Sequence, residues 1–202
     1  VVVVTTNTSL ANASLEPRAL QEERDFVMTH VCKYLTKNPT EADVLSVFAG
    51  LRPLVKSGDG SDTAALSRDH SILISESGLI SLRGGKWTTY RKMAEDVIDQ
   101  AETLGDLEPK TCATANLPIH GWTDRTTQSD HLCVYGFDRD KILKLTRTHP
   151  KLNEQIHDAL PYLKAEVIWQ VRYEMARTVE DVLARRTRAL LLNASASIEA
   201  AA

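Results

Sequence analysis

At 202 residues, with 43% hydrophobic and 25% charged side chains, the chain is long enough for one large packed body or two small ones. A formal net charge of −3 excludes a binder of nucleic acid or anionic membrane that works through global positive charge. No apolar run reaches the roughly 18 residues that a bilayer-spanning helix needs. The three cysteines (Cys32, Cys112, Cys133) are odd in number and form no C-x-x-C pair. They read as unpaired thiols in a reducing compartment, for which the cytoplasm is the expectation.

In chain order, Val1 to Thr6 carries neither a basic region nor a cleavage site and reads as a buried strand. Pro17 suits a first helical turn, and Phe26, Val27, His30, Val31, Tyr34 and Leu35 predict a helix from there to about Lys37. Val44 to Leu51 is apolar and partly β-branched, which predicts a mostly buried strand ending at Arg52-Pro53. Lys56 to Thr63 has loop composition. His70–Ser75 and Leu79–Leu82, separated by Glu76-Ser77-Gly78, predict a hairpin.

The second strand of that hairpin runs into Gly84-Gly85-Lys86-Trp87-Thr88-Thr89. A helix then follows, with Tyr90, Met93, Ala94, Val97, Ile98, Ala101 and Leu104 on one face and Gly105 after the last. From there to Tyr135 the chain is irregular. A domain boundary is placed within it, giving regions 1–108 and 109–202. Beyond it Asp138 is a candidate cap for a helix to Thr148. Ala165–Ala176 carries Val167, Ile168, Val171 and Met175 on one side, and Thr178 to Asp181 resembles a capping box for a helix with Val182, Leu183 and Leu190. The tail from Asn193 reads as frayed or cut short. The fold class expected is α+β, an α/β part followed by an all-α part.

Three places could carry chemistry. Arg52 ends an apolar strand and Arg68 precedes one, so each guanidinium is either a fork for phosphate or carboxylate or simply a solvated charge. Gly84-Gly85-Lys86 is the third: glycines let backbone approach a ligand, and the next helix points its free N–H groups back at the turn. An anion-stabilising pocket or a plain strand-to-helix turn both satisfy that pattern. Neither G-x-G-x-x-G nor G-x-x-x-x-G-K-[ST] is present. The six histidines have no metal-ligand spacing, and no metal site is assigned. Arg185, Arg186 and Arg188 read as the solvated face of the last helix, with acidic lipid or a partner protein as the other reading.

Together, Phe48-Ala49-Gly50-Leu51-Arg52-Pro53-Leu54, Ser67-Arg68-Asp69-His70 and Gly84-Gly85-Lys86-Trp87-Thr88-Thr89-Tyr90-Arg91 resemble the FAD-dependent glycerol-3-phosphate dehydrogenases, in that family's order and spacing. Val171-Arg172-Tyr173-Glu174 and the run from Ala176 to Arg186 resemble the signature of its helical C-terminal domain. The resemblance implies the C-terminal part of a flavoprotein that oxidises sn-glycerol 3-phosphate to dihydroxyacetone phosphate, with hydride passed to FAD and electrons to a quinone. A glycerol-3-phosphate oxidase shares these motifs. By resemblance Arg52, Arg68 and Lys86 bind the substrate, Lys86 and Arg68 are the catalytic candidates, and Gly84, Gly85, Lys86, Trp87, Thr88 and Thr89 approach the flavin.

The family's dinucleotide fingerprint is absent from the sequence, and Thr6-Asn7-Thr8 stands where the family often has Thr-Asp-Thr. FAD binding and turnover by these residues alone are therefore not expected. A homodimer and a peripheral contact on the cytoplasmic membrane face complete the expected partners.

Overall fold

The structure, a computed structural model, describes residues 2–3, 8, 10, 12–51, 69–124 and 130–202. It forms two compact units, one of residues 1–8, 14–50 and 119–202, the other of residues 9–13 and 51–118. The α+β class is borne out: among the described residues one hairpin lies in the second unit, and helices build the first.

In the hairpin unit, β1 (His70–Ile74) and β2 (Ile80–Gly84) pair antiparallel, with His70 opposite Gly84 and Ile74 opposite Ile80. The loop between them is closed by Ser75, whose N–H donates to Leu79 O at 3.0 Å and whose Oγ accepts from Leu79 N at 3.0 Å. Gly78 takes φ +82°, which explains the glycine at the end of the connection. A 3-10 turn, Trp87–Thr89, leads into the long helix Tyr90–Leu104.

That helix closes with Leu107 N donating to Glu102 O (2.9 Å), and the left-handed residue is Asp106 (φ +49°), not Gly105. Gly105 still bonds back to Ala101 O as a helical residue, and a carboxylate-bearing residue tolerates the left-handed position better than most. The predicted apolar face is only half covered, since Tyr90, Ile98 and Leu104 are exposed while Met93 and Val97 are partly buried.

In the other unit, α1 spans Gln21–Val31 and is shorter than predicted, because Lys33 and Tyr34 switch to three-residue bonds that tighten and end it. With α1 named, the hairpin unit's helix Tyr90–Leu104 is α2. Val2 and Val3 are exposed and lie in no strand. Val44–Leu51 forms no strand either. It is irregular, with Leu45, Val47, Phe48 and Leu51 exposed, and no described strand pairs with it. A β-branched run favours extended backbone, but a strand needs a partner ladder. Here the polar contacts are to helices instead: Ala194 N donates to Leu45 O (3.0 Å) and Ser46 Oγ to Leu190 O (2.9 Å).

Among the described residues the further α-helices are α3 (Arg139–Thr148), α4 (Lys164–Tyr173), α5 (Ala189–Leu192) and α6 (Ala194–Ala200), with a π-helical segment at Asp181–Arg186. Every fully buried described residue lies between Leu132 and Ser197. One cluster joins Leu132, Ile142, Ala165 and Trp169. The other joins Leu160, Ala176, Val182, Leu183, Ala189 and Ala196.

Several expectations are corrected there. The buried face of α4 carries Ala165, Glu166, Trp169 and Gln170, whereas Val171 (54%) and Met175 (75%) are exposed. Val167 and Ile168 of the predicted face are partly buried. The most buried positions, however, include Glu166, which is fully hydrogen-bonded, and Gln170, whose Nε2 is bonded while its Oε1 has no protein partner among the described residues. Hydrophobicity alone therefore located the face incompletely. Asp138 stands at the start of α3 but caps nothing; its buried carboxylate meets His120 and Lys141. The tail is not frayed. Asn193 caps α6 by accepting from Ala196 N (3.1 Å), and Ala196 and Ser197 are buried. The Thr178–Asp181 box does form, with Thr178 Oγ1 accepting from Asp181 N (3.1 Å) and Asp181 Oδ2 from Thr178 N (3.0 Å). The helix it starts is interrupted at Arg188 (φ +60°) before Leu190. Of the basic cluster, Arg185 pairs with Glu180 and Asp181, and Arg186 Nε donates to Glu174 O (2.7 Å), so these two serve local structure.

Candidate functional site

The turn Gly84–Thr89 sits where β2 ends and α2 begins. Gly84 and Gly85 both take positive φ, +73° and +85°, a pair of conformations that residues with a Cβ adopt only at a cost. A Cβ on Gly85 would stand 2.4 Å from Met93 Sδ, so the strand end is pressed against the first turns of α2. Next to it Lys86 returns to extended backbone (φ −131°, ψ 153°). Its N–H donates to Thr89 Oγ1 (3.3 Å), and the same hydroxyl donates to Lys86 O (3.0 Å). Lys86 and Thr89 thus clamp each other at the helix entrance.

The electrostatics of that entrance are one-sided. No acidic residue occupies the first turn of the 3-10 segment or of α2, so no carboxylate of that turn neutralises the positive end of the helix. Lys86 adds a cation. Trp87, 84% exposed, stacks on Tyr90 with ring centroids 5.3 Å apart. The arrangement can hold an anionic or electron-rich group against backbone N–H groups beside an aromatic face. The structure therefore brings together six of the residues predicted from the sequence, Gly84 through Thr89. Arg52 and Arg68 lie outside the described residues, as does the loop Lys56–Thr63.

Two further polar constellations form. Beside the turn, His70 Nε2 donates to Asp96 Oδ2 (2.9 Å), while Lys92 Nζ pairs with Asp96 Oδ1 (2.8 Å). Lys92 first, then His70, hold the Asp96 carboxyl below the usual carboxylate range against the opposing effect of burial. In the helical unit, Glu166 accepts from Leu163 N (2.6 Å), His131 Nε2 (2.8 Å) and Tyr135 Oη (3.0 Å), and Gln170 Nε2 donates to Tyr135 Oη (2.8 Å). Burial and the Glu166 charge push the Tyr135 phenol up, so it stays a hydrogen donor. Neither pair has a local sequence signal: the partners are 26 and 35 residues apart. Among the described residues, no group of histidine, cysteine and acidic side chains could hold a metal ion.

Curated relatives cover nearly all of the chain. A Caenorhabditis elegans protein named probable glycerol-3-phosphate dehydrogenase, mitochondrial, is 35% identical over 94% of the chain and 29% of its own length. The Mesocricetus auratus glycerol-3-phosphate dehydrogenase, mitochondrial, is 36% identical over 91% of the chain and 28% of its length. The Arabidopsis thaliana relative, also named mitochondrial, is 30% identical over 98% and 36%.

The chain spans about a third or less of the length of these relatives. Their names overturn the cytoplasmic expectation: unpaired thiols mark a reducing compartment without saying which one. Residues 77–202, from the hairpin loop through every buried residue of the helical unit, match the family described as the C-terminal domain of alpha-glycerophosphate oxidase, and the chain belongs to that family.

Proposed function

We propose that the chain supplies part of the active site of a mitochondrial, FAD-dependent glycerol-3-phosphate dehydrogenase, which forms dihydroxyacetone phosphate and passes electrons to a quinone. The observation that carries this reading is the Gly84–Thr89 turn. Its two positive-φ glycines, its carboxylate-free helix entrance and its neighbouring lysine fit a ring that becomes negative on reduction. When bound, FAD supplies the acceptor for the hydride leaving C2 of the substrate.

This chain's residues hold and polarise. The Trp87 and Thr88 N–H groups, in the turn that opens α2, would meet negative charge, and Lys86 would contribute a cation beside them. Arg52 and Arg68, by resemblance, fork the substrate phosphate. Residues 1–108 would carry these groups, and 109–202 would form the accompanying helical domain. The dehydrogenase reading is preferred over the oxidase because the curated relatives are named dehydrogenases.

The test is anaerobic addition of glycerol 3-phosphate to the full-length protein purified with its flavin. The visible flavin absorbance should bleach, and a quinone analogue should restore it faster than air does. A flavin that stays oxidised, or that is restored by air alone, contradicts the reading.

A further inference from the structure

The His70–Asp96 pair stands at the candidate site without any role in the reading above. In the hairpin register His70 is the residue opposite Gly84, and a Cβ on Gly85 would lie 3.4 Å from His70 Cβ. Asp96 belongs to α2, the helix that Lys86 and Thr89 open. Both side chains are largely covered, at 20% and 29% exposed. The pair therefore bridges the start of β1 to the body of α2, with the glycine turn between them. Asp96 also receives Lys92 on its other oxygen, so the carboxylate accepts two donors. Its charge fixes a hydrogen on His70 Nε2 whether or not the ring is protonated, because a carboxylate offers only acceptors. That is the behaviour of a brace, not of a proton carrier.

We propose that His70 and Asp96 are positioning residues, whose bond fixes the strand end against α2 and so holds Lys86 and the Trp87 and Thr88 amides in place for the cofactor. This rests on the reading of the Gly84–Thr89 turn as the flavin-facing element. A glycine pair has little stiffness of its own, and the turn's own clamp, Lys86 with Thr89, lies on the helix side only. The brace ties in the strand side. A misplacement of about 1 Å at such a turn is enough to weaken a ligand that is read by backbone donors.

The experiment compares His70→Ala and His70→Gln in the full-length protein by FAD titration, hydrogen exchange of the Lys86–Thr89 amides and thermal melting. Glutamine can place an amide N–H near the position of His70 Nε2. His70→Ala should weaken FAD roughly tenfold, a loss of about one hydrogen bond to a charged group, and speed exchange at those amides. His70→Gln should return both to within about twofold of the wild type. The proposal is overturned if His70→Ala changes neither reading. It is equally overturned if His70→Gln melts normally yet is as damaged as His70→Ala, since the imidazole itself would then be needed.

Should His70→Ala not fold, Asp96→Ala carries the test: faster exchange at Lys86–Thr89 supports the brace and unchanged exchange sinks it. Exchange is read without flavin, so a wild-type protein that fails to bind FAD contradicts the functional reading while leaving the brace separately tested.

Discussion

The two units are built on opposite terms. The helical unit holds all the fully buried described residues, including the charged Glu166 and the polar Gln170, and each of these is hydrogen-bonded. The hairpin unit buries no described residue fully, yet it carries the positive-φ glycine turn proposed to meet the flavin. The buried core and the proposed site are therefore separated along the chain. In the helical unit a residue is placed by what packs around it. In the hairpin unit Gly84–Thr89 is placed by backbone geometry, by the Lys86–Thr89 clamp and by the His70–Asp96 bridge.

That contrast can be broken most forcefully at glycine. Gly136 takes φ +55°, and a Cβ there would stand 1.6 Å from Gly121 O, a backbone atom that cannot step aside. Gly136→Ala should cost at least about 4 kcal/mol or prevent folding, read by thermal unfolding. A variant melting within a few degrees of the wild type would show that the contact relaxes.

Glu166→Ala comes next. It leaves His131, Tyr135 and Leu163 N without their buried acceptor and should cost roughly 3 kcal/mol by denaturant titration. A loss under about 1 kcal/mol would mean that the network does not hold the helical unit together.

Gly85→Ala sharpens the comparison. The clash of its Cβ is with the flexible end of Met93, while His70 Cβ stands 3.4 Å away, so the expected cost is the backbone penalty of about 1–2 kcal/mol. The larger consequence should be poorer flavin retention. Equal damage to stability at Gly85 and Gly136 would erase the distinction between the units.

The smallest effect is electrostatic. The N–H groups of Arg177, then Thr178, hold the Asp181 carboxyl down at about 2, against an ordinary 3.8. A depressed folded value means that the contribution is fully present above 3.8 and is lost as the pH falls towards 2. Wild type and Asp181→Asn should therefore differ in melting temperature at neutral pH and converge in that acid window. Parallel curves down to the lowest pH would remove the capping box from the account.

What the sequence disclosed follows the same division. The hairpin, α2 and the Gly84–Thr89 turn were legible because their determinants are local: alternation, a glycine at the turn, helical spacing. The Thr178–Asp181 box was legible for the same reason. Val44–Leu51 misled because β-propensity says nothing about whether a partner strand exists, and the described structure sets the segment beside Leu190 and Ala194 instead. Around α4, hydrophobicity pointed to Val167, Ile168, Val171 and Met175, of which the first two are partly buried and the last two exposed, whereas Glu166 and Gln170 are buried beside partners that only the fold brings near. His70 and Asp96 were invisible for that reason too.

The central claim is that the positive end of α2, with Lys86 beside it, holds the reacting groups. Its most direct test is the rate at which glycerol 3-phosphate reduces the bound flavin in Lys86→Ala, followed anaerobically in the full-length protein. The rate should fall by about a hundredfold or more while the protein melts as the wild type does, as expected when one fixed charge is removed from a reaction site. Reduction at the wild-type rate would contradict it.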